Sequence, residues 1–335
     1  MTRLKRHLFS LLRLAIAVAM LGYLASTGSI DWSALGGLAN TWQLPVLAIT
    51  LFFFATMIQA FRLQLLINSH QLGLSYLAAF KLTFIGLFFS TYLPGATGGD
   101  LIKIYYASKG NPGSRAEVIT ILLLDRFIGL LSLLSLPLLL APFFLDLIAS
   151  HTSLQALLGL SLVISLGIMI VTFIGARYDL HNSRLLGWLN RQGKLGSLMI
   201  RMLHTVHHYR HNMTLLLRAL LLSYALQALM IGVSLAIAEA IIPTGIDLKM
   251  LLLIPIGYLA NSLPLTPGGL GVGEAAMASL FTLGSLSGGA EMLIGWRLVM
   301  ILVGLLGLVC YLKGEKQFVF SEEGSKQTTG TNGQP

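Results

Sequence analysis

Two glycine- and proline-rich interruptions decide what this chain is able to fold into. The first is Leu93-Pro94-Gly95-Ala96-Thr97-Gly98-Gly99-Asp100, which breaks an apolar run that begins near Leu82. The second is Leu263-Pro264-Leu265-Thr266-Pro267-Gly268-Gly269, with Glu274 following. Both read LPxxxGG, and each is followed closely by an acid. In lipid a broken helix leaves backbone N–H and C=O groups without water, so it is tolerated only where it is buried in protein or lines a wet cavity. Matching Gly/Pro breaks in two halves of a membrane chain point to a transport site.

That argument needs a bilayer, and composition supplies one. Of 335 residues, 55% are hydrophobic and 10% charged, against about 25% charged in a soluble domain. Mean hydropathy is +0.80. The net charge of +9 sits in short loops beside apolar segments, which suits a membrane surface and not nucleic acid. Cys310 is the only cysteine, so neither a disulfide framework nor a cysteine zinc site is available.

Apolar runs of about 20 residues, with Lys and Arg gathered in cytoplasmic loops, set the spans and their direction. Residues 8–27 form an uncleaved first span, with Arg13 snorkelling, and 44–67 a second. The broken segment 75–108 has lysines at both ends, Lys81 on one side and Lys103 and Lys109 on the other, and reads as re-entrant. Spans follow at 116–145 and 154–176, then a basic cytoplasmic loop 177–218. A fifth span at 219–242, a second re-entrant segment at 250–286 and a last span at 291–312 complete the count. The expectation is an all-α integral membrane protein of about six full spans and two broken hairpins. Residues 1–150 and 151–318 form two oppositely oriented repeats, and 319–335 a disordered cytoplasmic tail. Gln59-Ala60-Phe61 and Gln227-Ala228-Leu229 echo each other ahead of the two motifs, and inverted repeats are a transporter architecture.

Charges inside the spans are the candidate site. Arg126 and Arg297 follow their breaks at similar distances. Arginine at a bilayer centre costs ~2.5–3.5 kcal/mol or more and faces a cavity or partner. The functional reading is a guanidinium fork for phosphate; the alternative is an ion pair with Asp100, Asp125 or Glu274. Asp100 and Glu274 either meet a cationic group, carry a proton, or cap a half-helix beginning after the glycines. Gly98, Gly99, Gly268 and Gly269 let backbone N–H groups converge on an anion, or let helices pack closely. Arg62, Lys81 and Lys103 read as snorkelling side chains. His204, His207, His208 and His211 share one helical face in the basic loop and read as a surface helix at the headgroups rather than a metal site. No cofactor is expected.

Three segments, TYLPGATGGDLIKIYY at 91–106, LDRFIGLL at 124–131 and NSLPLTPGGLGVGE at 261–274, resemble the lysylphosphatidylglycerol synthase transmembrane region, a flippase-like family. The resemblance covers roughly residues 8–313. It implies movement of a lipid between leaflets of the bacterial inner membrane, with both termini cytoplasmic. The aminoacyl-transferase domain of larger relatives is not expected here, so the chain is read as a transporter and not an enzyme. Its substrate is a phospholipid or polyprenyl-phosphate-linked lipid with an anionic headgroup. The alternative the resemblance leaves open is a membrane subunit or intramembrane enzyme partnering a glycosyltransferase on polyprenyl-linked sugars.

Overall fold

In a computed structural model, residues 36–70, 72–92, 98–109, 115–177, 193, 213–262, 266 and 269–313 are described. Among them every regular element is helical. The expected first span at 8–27, the histidine face at 204–211 and the tail at 319–335 lie outside the described residues. Five helices are long and apolar enough to cross a bilayer. They are α2 (Gln43–Asn68), α5 (Arg115–Leu140), α7 (Thr152–Arg177), α8 (Met213–Ile241) and α11 (Gly289–Lys313). Each matches a span expected from the sequence. At 25 to 29 residues they run about 37–44 Å, more than the ~30 Å hydrocarbon core. Helix α8 begins at Met213, ahead of Arg218, so the end of the expected loop 177–218 is helical. One isolated charge in the run Met213–Leu222 does not stop a helix whose neighbours are leucine and alanine.

Both interrupted segments fold as antiparallel helical hairpins. In the first, α3 (Tyr76–Tyr92) is followed by α4 (Gly98–Lys109); in the second, α9 (Met250–Ser262) by α10 (Val272–Leu283). The pairing is tight because glycines face it. A Cβ on Gly99 would run into the Gly86 carbonyl and Ser90 Oγ, and one on Gly257 into Met277. At 13 and 12 residues, α9 and α10 reach only about 18–20 Å and cannot cross alone. A short α1 (Gly37–Asn40) lies against the C-terminal end of α8, and a 3-10 turn (Ala141–Phe143) with a short α6 (Leu145–Ala149) links α5 to α7.

Antiparallel α2 and α8 form the central pair: Leu51 meets Gly232, and Arg62 meets Ser223. One end of the bundle carries residues 69, 70 and 72–75 between α2 and α3; the other carries 141–151 and 242–249. Exposed Trp42 and Phe143 mark that second end, where aromatic side chains suit a membrane interface. The hairpins are exchanged between neighbours: α3 packs on α11, and α9 packs on α5. Helix α3 climbs α11 from the first end, with Phe84 against Gly307 and Thr91 against Gly304. The second hairpin enters from the other end, with Met277 against Gly289. Two apolar cores result. One gathers α9, α10, α11 and the facing half of α8, including Ile237, Leu253, Met277, Phe281 and Leu293. The other gathers α3, α5 and the far end of α2, including Leu63, Leu66, Leu82 and Ile121.

Candidate functional site

The second hairpin turns between Ser262 and Val272. Gly269 donates its N–H to the Thr266 carbonyl, and the Thr266 hydroxyl donates to the Leu270 carbonyl. Gly269 and Gly271 hold φ of 71° and 80°, a region costly for any residue with a Cβ. Gly271 caps α10, and Glu274 at the third helical position reaches back so that Oε2 accepts the Gly271 N–H at 2.7 Å. That satisfies a donor the helix start would otherwise leave orphaned.

The other oxygen of Glu274 faces α11. Arg297 donates from Nε to Oε1 at 2.5 Å, and from one Nη to Asn261 Oδ1 at 2.7 Å. Glu274 is fully buried and Arg297 nearly so. Asn261, at the end of α9, fits because a Cβ on Gly269 would run into its backbone carbonyl and one on Gly273 into its side chain. So α9, α10 and α11 converge on one guanidinium. Removing one partner of such a buried pair leaves an uncompensated charge, so the network fixes the hairpin tip against the span. Of the roles open to Glu274, it performs the cap and the ion pair together.

At the first break α4 begins at Gly98 and Gly99 is buried. The Asp100 side chain and Gly268 lie outside the described residues. Arg126 is exposed on α5. Lys103 is buried, 7% exposed, with its stem over Gly86, which corrects the snorkelling reading. The same correction applies to Arg62. It is 4% exposed and donates from Nε to Asp125 Oδ1 at 2.7 Å, from one Nη to the Asp125 carbonyl at 3.3 Å and from the other to Ser223 Oγ at 2.5 Å. Ser223 in turn donates to the Ala219 carbonyl. The sequence signal for this pair was Asp125, the single carboxylate well inside α5, which needed a cation from another helix. Asn261 carried a signal too, as the one amide in the apolar run of α9.

These buried charges sit in a framework whose sequence has relatives. The profile described as Lysylphosphatidylglycerol synthase TM region matches residues 10–307. The chain belongs to this family of multi-pass membrane proteins. No curated protein and no solved structure matches it.

Proposed function

We propose that the chain is a flippase-like transporter that moves a phospholipid or polyprenyl-phosphate-linked lipid with an anionic headgroup across the membrane. The observation that supports this most is the buried Glu274–Arg297–Asn261 network at a helix break. Intramembrane charge of this kind marks a substrate or ion pathway by default.

The chemistry follows from which atoms are engaged. Arg297 offers Nε and one Nη to oxygen acceptors along one edge, the geometry a phosphate also accepts. A headgroup that takes this edge displaces Oε1, while Oε2 still holds the Gly271 N–H. The α10 cap therefore survives the exchange, and the freed carboxylate meets a cationic headgroup or takes a proton. Arg126, with Asp100, performs the matching step in the first half, and Gly98, Gly99, Gly268 and Gly269 permit close approach. The two halves are proposed to be inverted repeats. In support, each hairpin packs on the last span of the other half: α3 on α11 and α9 on α5. The basic-loop bias supports cytoplasmic termini, and the family supports a bacterial inner membrane as the location.

The test is reconstitution of purified protein with fluorescent phosphatidylglycerol, following its loss from one leaflet. Wild type is expected to move the lipid faster than protein-free vesicles. Arg126→Lys and Arg297→Lys are each expected to slow it while remaining folded, because a point charge does not reproduce the fork. Protein-free rates from folded wild type would overturn the transporter reading; undiminished rates from both lysine variants would overturn the phosphate assignment.

A further inference from the structure

The second half contains an internal control for the Arg62–Asp125 pair. Three residues after Gln59 stands Arg62, and three after the matching Gln227 stands Met230. One residue before Arg126 stands Asp125, and one before Arg297 stands Trp296. Where the first half joins α2 to α5 through a buried ion pair, the second half has Met230 and Trp296. Tyr258 bridges them, its hydroxyl donating to the Met230 carbonyl at 2.9 Å and its ring 5.6 Å from that of Trp296. A tyrosine bonded to the Met230 backbone and packed on Trp296 thus closes this position without charge. Buried ion pairs are often replaceable by well-packed apolar residues at no loss of stability, so stability is a weak reason for Arg62 and Asp125.

The pair is also incompletely used. Asp125 accepts through Oδ1 and its own carbonyl, and its Oδ2 has no partner among the described residues. Each Nη of Arg62 makes a single hydrogen bond, whereas each carries two donors. Gly129, one turn after Arg126 on α5, puts no side chain against the guanidinium from that helix: a Cβ there would meet only the two Nη atoms, at 3.6 Å. Ser223 ties the site to the second half.

We propose that Arg62, with Asp125 and Ser223, is a second anion-exchange site, taking the phosphate of a lipid headgroup in place of Asp125. It rests on the transporter and repeat readings above and adds a station to them. The site lies where α2, α5 and α8 meet.

The decisive variant is the double change Arg62→Met with Asp125→Leu, which copies the apolar chemistry of the other half. It is expected to fold with a melting temperature no lower than wild type's, yet to move fluorescent phosphatidylglycerol roughly ten-fold more slowly, the scale of one lost charge-assisted hydrogen bond to phosphate. In detergent, phosphatidylglycerol is expected to raise the melting temperature of the double less than that of wild type. Phosphatidylcholine and inorganic phosphate form separate arms. An equal effect from inorganic phosphate keeps the site and makes the free anion its ligand. A double variant that moves lipid at the wild-type rate, or gains the same rise from every anion, overturns the assignment. Should the double fail to fold, Arg62→Lys keeps the charge and removes the fork, and wild-type transport from it overturns the proposal. If wild type itself moves no lipid, the transporter reading falls while the melting-temperature arms still decide this site.

Discussion

At the scale of single residues, Glu274 carries two structural duties with two oxygens: one caps α10 and the other neutralises Arg297. Glu274→Gln keeps the shape and an acceptor for the cap but leaves the guanidinium buried without a counter-charge. Breaking a buried pair in this way costs about 3–5 kcal/mol. The expected outcome is a clear drop in melting temperature in detergent. Asn261→Ala should lower it less, by the roughly 1–3 kcal/mol of one buried donor left unsatisfied. A larger loss from Asn261→Ala than from Glu274→Gln would show that the amide, not the carboxylate, holds the tip.

Elements were far more legible in the sequence than side-chain partners. Span positions follow from runs of apolar residues, because a backbone in lipid has to close its own hydrogen bonds; α2, α7 and α11 therefore fall within two residues of their expected ends. The cap by Glu274 was readable as one of several options, since the spacing from Gly271 is local. Arg62 was not readable. Its carboxylate is 63 residues away on α5, and nothing in the run from Gln43 to Asn68 says which face that helix turns inward. Lys103 was hidden for the same reason: Gly86 on the other arm of the hairpin makes its room.

Glycine placement gives a prediction at this scale. A Cβ on Gly307 would run into the Phe84 carbonyl, a backbone atom that moves only if α3 moves. Gly159 on α7 has nothing within 4 Å. Gly307→Val is expected to destabilise by about 1–3 kcal/mol through overpacking and to impair transport. Gly159→Ala is expected to be neutral or to stabilise by up to about 1 kcal/mol. Thermal melting of the two variants checks the contrast, and equal behaviour would mean that α3 does not rest on α11 in the membrane.

For the whole molecule, the alternation of helices places Ser75 and Ser150 at opposite ends of the bundle. In a Cys310→Ser background, Ser75→Cys should react with an impermeant thiol reagent only from the cytoplasmic side, and Ser150→Cys only from outside. Labelling of both from one side would overturn the re-entrant hairpin, since an α3–α4 segment that crossed the membrane outright reverses every later helix.

Helix α11 is a surface on which both hairpins rest. Their last described contacts along it, Arg297 from one end and Gly304 from the other, are separated by about 10 Å. Over so short a stretch an α-helix is effectively straight, since helices curve with radii of ~60–100 Å. A straight beam carried between two wedges has a fulcrum, and here it falls between those contacts. Any rocking of the beam that relieves one wedge loads the other. For the transport proposed above, alternation between the two sides then needs only stiffness, with no signal passed from one site to the other.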